Sequence, residues 1–120
     1  MTKESKDSEN KEEREEQNNV IFYHGARDKT QFHNLQADGP DPDKEFDVTR
    51  NERLALDFAD GHPERILRYI VPGKDAKEIL AIERPYAGPG GMDGTVCRLH
   101  GSVIRKIQRF LDPKQRLQAY

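Results

Sequence analysis

The 120-residue chain has one cysteine, no tryptophan and no run of 18 apolar residues. A single thiol, Cys97, makes neither an internal disulfide nor a cysteine-rich zinc site, and a cytoplasmic setting suits it best. Without a long apolar run there is no helical membrane span, and residues 1–19 lack the apolar core of a secretory signal. His33, His62 and His100 stand at no metal-ligand spacing from one another or from Cys97, so no metal is expected. The length suits one domain and excludes a two-domain enzyme with separate cofactor and substrate halves.

Apolar residues are also scarce, 33% against 35% charged, but the shortage is local. Residues 1–19 contain one hydrophobic residue, Met1, with seven acids and four bases, a net of −3. The other 101 residues hold fifteen acids and sixteen bases, so the overall charge of −2 joins an acidic leader to a nearly neutral body. A segment so poor in apolar surface does not offset its ordering entropy, so residues 1–19 read as a disordered tail. The expected domain is residues 20–113, followed by a short tail over 114–120. About 90–100 residues are enough for a small core.

Within that body, the run Val20-Ile21-Phe22-Tyr23 ends abruptly at His24-Gly25 and reads as a buried strand. Residues 26–45 have few apolar anchors (Phe32, Leu35, Ala37), and 38–43 is a loop broken by two prolines and a glycine. The alternation in 45–49 predicts a second strand. Thr49-Arg50-Asn51-Glu52 then matches a capping box, with Thr49 or Asn51 as the cap. Leu54, Ala55, Phe58 and Ala59 share one helical face, and Gly61 is the stop. Further strands are expected over 66–71, 78–82 and 95–99. Residues 85–94 hold four of the nine glycines and two of the seven prolines, a loop of the kind that closes over ligands. The spacing of Val103, Ile104, Ile107, Phe110 and Leu111 fits a helix with Ser102 as its cap. A strand with Val103, Ile107 and Leu111 inward is also compatible. These elements make a small α+β domain.

The order of YHGAR at 23–27, FDVTRNERLALDFA at 46–59, RILRYIVPG at 65–73 and DGTVCRLHGSVI at 93–104 resembles the ADP-ribosyltransferase fold, in particular its small His-Tyr-Glu members. The resemblance implies a small split antiparallel β-sheet with few helices, NAD as substrate, and a macromolecular acceptor, protein or nucleic acid. It also implies a cytoplasmic monomer, or an effector delivered into another cell. It assigns His24 to a ribose hydroxyl, Gly25 to close backbone approach to the nicotinamide amide, and Phe46 and Phe58 to packing on nicotinamide. Thr49 supplies a supporting hydroxyl, and Arg27 a donor to the pyrophosphate. Each residue has a plainer role open to it. His24 fits a strand-end histidine bonded to backbone, Phe46 and Phe58 fit core residues, Thr49 fits a helix cap, and Arg27 fits a solvated arginine.

The glutamate of active members falls near Thr95, which is not acidic. Asp93 is the one carboxylate of the loop and the residue expected to replace it. Glu83 would do so only in a different register. Without a carboxylate the chain would be a catalytically degenerate module that binds NAD or ADP-ribose. The family also includes RNA 2′-phosphotransferases that use basic residues, and residues 98–116, with six bases and one acid, bring Arg98, Arg105 and Arg109 to attention. The family template makes 103–110 a closing strand, and this overrides the helical periodicity in the expected fold.

Overall fold

A computed structural model describes residues 18–87 and 93–116, apart from the side chains of Ala87 and Asp93. Residues 1–17 of the tail expected over 1–19, and the centre of the expected closing loop at 88–92, lie outside the described residues, as does 117–120; Asn19 already belongs to the first strand.

The elements run β1 (Asn19–Gly25), α1 (Lys29–Ala37), β2 (Phe46–Val48), α2 (Glu52–Phe58), a 3-10 turn (Pro63–Arg65), β3 (Ile66–Pro72), α3 (Gly73–Leu80), β4 (Glu83–Ala87), β5 (Asp93–Leu99), α4 (Ser102–Gln108) and a second 3-10 turn (Pro113–Gln115). The protein is α+β, with two small antiparallel sheets: β1 with β3, and β2–β5–β4. They adjoin where Tyr23 and Thr49 exchange backbone hydrogen bonds at 2.7 and 2.9 Å.

Strand alternation divides the β1–β3 pair into two faces. Phe22 lies opposite Tyr69, and His24 opposite Leu67. These side chains share a face, which packs on Phe46, Val48, Cys97 and Leu99 of the other sheet and on Ile104 and Ile107 of α4. The reverse face carries Tyr23, Gly25 and Ile66, and Ile66 clusters there with Ala55 and Ala59 of the helical segment after β2. Gly25 sits so close to α2 that a Cβ there would lie 2.1 Å from the Ala55 carbonyl oxygen and 2.7 Å from the Ala59 nitrogen.

Helix α2 forms where its cap predicts. Asn51, rather than Thr49, accepts from the Arg53 and Leu54 amides at 3.0 and 3.3 Å. The Gly61 amide closes the far end on the Leu56 carbonyl at 2.9 Å, with Gly61 at φ +79.

Three expectations are corrected, and one helix was not expected. Residues 29–37, whose few apolar anchors predict no element, form α1, capped by Asp28, which accepts from the Gln31 amide at 2.8 Å while Gln31 accepts from the Arg27 amide at 2.6 Å. Residues 78–82 are not a strand: 78–80 complete α3, whose Ala76 and Ile79 bury a helical stripe, and the strand begins at Glu83. The expected loop at 85–94 is shorter, because 85–87 belong to β4 and 93–94 to β5. Residues 102–108 form α4 and not a closing strand, since Ile104 and Ile107 reach the core only with helical spacing. Gly101 at φ +55, rather than Ser102, holds the capping position of that helix. Ile70 donates to the Phe110 carbonyl, and Asp112 to that of Arg68, each at 2.8 Å. Leu111 thereby bridges Tyr69 on the free edge of β3.

Candidate functional site

His24 stands at the end of β1, on the face that looks into the shared core. Its Nδ1 lies 2.6 Å from the Asp47 carbonyl oxygen of β2. A carbonyl only accepts, so Nδ1 bears the hydrogen and Nε2 is a bare acceptor. That Nε2 is buried with no partner among the described residues. Burial pushes the imidazole's pKa below its ordinary value, against the opposing pull of the Asp47 backbone bond and carboxylate. The ring is therefore held neutral, in one tautomer, with an unused lone pair.

Phe46 fixes the ring's plane. The His24 and Phe46 rings stack at 4.1 Å between centroids and 26° between planes. Tyr69 meets Phe46 edge-on at 5.9 Å and 85°. The Tyr69 hydroxyl is a second buried polar atom without a partner among the described residues, and burial alone raises its pKa. Two orphaned polar atoms thus belong to side chains packed on one phenylalanine.

Thr49 presents the opposite case. It is 1% exposed, and its hydroxyl donates to the Thr95 carbonyl at 2.6 Å and accepts from the Asn51 amide at 3.0 Å. The hydroxyl ties β2, β5 and the start of α2 together. Next to it, Arg50 donates from Nε and Nη2 to the two Glu83 oxygens at 2.7 and 2.6 Å. The Glu83 carboxylate, 15% exposed, is held below the usual carboxylate range by that guanidinium, against the opposing effect of burial. Glu83 lies opposite Cys97 across the β4–β5 ladder. Burial, and then the Glu83 charge, push the Cys97 thiol up to about 11, which keeps it protonated and unreactive.

The structure brings His24, Phe46 and Thr49 together at the junction of the sheets. Gly25 is beside them, with the space over its Cα taken by α2. Phe58 is half-buried and meets Tyr86 of β4 edge-on at 5.2 Å. Arg27 is exposed, and its carbonyl accepts from Arg65 at 2.9 Å. Asp93 begins β5, and its side chain lies outside the described residues.

Three of the C-terminal basic residues are engaged within the fold. Arg98 pairs with Asp47 at 3.0 Å and Glu45 at 3.2 Å, Lys106 pairs with Glu78 at 3.1 Å, and Arg116 donates to the Leu111 and Arg109 carbonyls. On the reverse face of β1–β3, a groove of about 340 Å³ is lined by Glu52, Arg53, Leu56, Pro63 and Ile66, and it includes none of the expected site residues.

Arg50, Tyr69 and Tyr86 were not singled out from the sequence. Arg50 follows directly on Thr49, and Tyr86 stands inside the glycine-rich segment; these are the signals that point to them. Tyr69 reads in the sequence as one more core residue. No described helix is long and apolar enough to cross a membrane. In comparisons with protein-family models, curated proteins and solved structures, nothing matches this chain.

Proposed function

We propose that this chain is an NAD-dependent mono-ADP-ribosyltransferase built on an ADP-ribosyltransferase-like split sheet, acting as a cytoplasmic protein on a protein or nucleic-acid acceptor. The observation that carries this reading is His24. A neutral imidazole with its Nδ1–H spent on Asp47 keeps an unused lone pair on a buried Nε2, which accepts one hydrogen bond from a ligand once the residues over it move aside. A ribose hydroxyl is such a donor. The stack on Phe46 restricts the ring to one orientation, which lowers the cost of ordering it when ligand binds.

In the reaction, the bond between the ribose C1′ and the nicotinamide nitrogen breaks, and its electron pair leaves with nicotinamide. The ribosyl cation that remains is captured at C1′ by the acceptor's nucleophile, which loses its proton to solvent. Catalysis is then a matter of holding the dinucleotide, supporting the leaving group and stabilising positive charge. In this reading Phe58 and Tyr86 offer aromatic surface for nicotinamide. Thr49, with its hydroxyl fully engaged, holds the scaffold rather than the substrate.

The test is incubation with labelled NAD and a cell lysate, with nicotinamide release followed in parallel. Label transfer that is lost in His24→Ala supports the reading; absence of both label and nicotinamide release contradicts it. One observation favours a second reading, a module that binds NAD or ADP-ribose without turnover: position 95 is a threonine whose carbonyl is tied to Thr49. Calorimetric binding of NAD with no release of nicotinamide marks that case. The RNA 2′-phosphotransferase reading draws less support, because Arg98 is engaged by carboxylates on its own surface.

A further inference from the structure

We propose that the groove beside α2 is where a protein acceptor docks, and that it takes a short segment with an aliphatic side chain flanked by lysines or arginines. This rests on the NAD reading above and chooses between its two classes of acceptor, protein and nucleic acid.

Three of the five residues that line the groove, Leu56, Pro63 and Ile66, are apolar. Ile66 is 8% exposed and Leu56 is half-buried, whereas Glu52 and Arg53 are exposed, so the hollow is apolar within and charged at its mouth. Arg53 and Leu56 also line a second hollow of about 190 Å³, with Asp57 and Gly61, so the two adjoin along α2. At about 340 Å³ the groove lies at the small end of the roughly 300–1,000 Å³ of ligand pockets, which suits one or two anchoring side chains of a docked segment. It stands near His24 without including it. The Tyr23 phenol donates to Glu52, and Ile66 lies opposite Gly25 across the β1–β3 ladder. The groove therefore opens beside the strand end that carries His24, on the other face of the strand.

The charge around the groove decides the class of partner. From Glu52 to Glu64 the chain holds four acids, Glu52, Asp57, Asp60 and Glu64, and one arginine, Arg53, all of them exposed. Glu64 has His62 at 3.0 Å, while Glu52, Asp57 and Asp60 have no basic partner among the described residues. Arg65, the next base, is turned onto the Arg27 and Ala59 carbonyls at 2.9 and 3.2 Å. Acids without an internal partner, gathered around an apolar hollow, attract a cationic segment and repel a phosphate backbone. Leu56 and Ile66 then anchor the aliphatic side chain, and the carboxylates set its register. A nucleic acid offers the reverse, phosphates against these acids and no aliphatic side chain for the hollow.

The experiment uses fluorescence anisotropy of a labelled peptide, two leucines with three lysines on either side, titrated with the wild type, Asp57→Lys and Arg53→Glu. NAD binding by calorimetry and melting curves are run alongside. Saturable binding to the wild type is expected, weakened about tenfold when serines replace the leucines and weakened again as salt rises to about 0.3 M. Asp57→Lys is expected to weaken it about tenfold and Arg53→Glu to tighten it severalfold, with NAD affinity within about twofold throughout. Opposite signs from two exposed positions on one helix separate charge from damage to the fold. In the lysate assay, label is expected on protein, lowered about tenfold in Asp57→Lys and by competing peptide, while nicotinamide release without acceptor is unchanged. No peptide binding, or equal binding by all three proteins, overturns the proposal; where the wild type still binds and cleaves NAD, the functional reading stands. Label that nuclease removes and protease does not overturns it in the same way. If the wild type neither binds NAD nor releases nicotinamide, the functional reading falls, and the docking of an acceptor with it.

Discussion

Thr49 and His24 sit side by side on adjoining strands, yet they handle polarity in opposite ways. The Thr49 hydroxyl spends both its hydrogen and a lone pair inside the fold. The His24 ring spends one nitrogen on Asp47 and leaves the other buried and bare. A buried polar group with all its partners belongs to the scaffold; one left unpaired carries a cost of about 1–3 kcal/mol, which a fold has no reason to bear without some return. The contrast separates what holds the junction from what is open to a ligand. It extends to Tyr69, whose hydroxyl is equally bare although nothing else assigns it to the site.

The largest effect expected is at the scaffold. Gly25→Ala drives a Cβ into the backbone of α2 at Ala55 and Ala59, neither of which has a flexible end to move. A loss of about 3 kcal/mol or more is expected in denaturant unfolding, because overpacking against backbone finds no rotamer to relax into. Thr49→Val is next. It keeps the shape and removes both hydrogen bonds, leaving the Thr95 carbonyl and the Asn51 amide without this partner. About 2 kcal/mol is expected by the same measurement. A loss below about 0.5 kcal/mol would put Thr49 outside the scaffold and blur the contrast.

The third effect depends on pH. Burial depresses the His24 pKa, so on acidification the unfolded chain takes up this proton before the folded one does. The contribution of neutral His24 is full above the unfolded value of about 6.5 and is lost as pH falls from there towards the folded value, at about 1.4 kcal/mol for each unit between them. Melting curves between pH 7.5 and 5 are expected to show this loss, and His24→Phe, which keeps the stack on Phe46, is expected to abolish it. The smallest effect has the opposite sign. Tyr69→Phe removes a buried hydroxyl with no partner among the described residues, and a gain of up to about 1 kcal/mol is expected. A clear loss there would mean that the hydroxyl is hydrogen-bonded in solution, and Tyr69 would move to the scaffold side of the comparison.

Local signals made some of this legible in the sequence. The strand ending at His24-Gly25, the Asn51 cap and the helix behind it, and the strand from Ile66 were all readable from pattern and capping chemistry. The α+β class followed from them. Helix α1 was missed although Asp28 caps it and Gln31 reaches back to the Arg27 amide, because Phe32 and Leu35 make too thin an apolar stripe for periodicity to register. Glu78–Ile82 misled because a short apolar run ending before Pro85 reads as a buried strand as readily as the end of a helix. Only the burial of Ala76 with Ile79 decides between them. For 103–110 the reverse held: local periodicity pointed to the helix, and the borrowed template pointed away from it. At the site, residue types were legible and partnerships were not. Nothing in the sequence says that the Thr49 hydroxyl is used up, that Gly25 is required by α2, or that Arg50 pairs with Glu83 across 33 residues of chain.

The central claim is that the unpartnered nitrogen of His24 receives a hydroxyl of NAD, and calorimetric titration with NAD of the wild type and His24→Phe tests it most directly. The account predicts saturable one-to-one binding by the wild type, weakened at least tenfold in a His24→Phe protein that still melts cooperatively. Equal affinities in the two proteins, or no binding by the wild type, would contradict it.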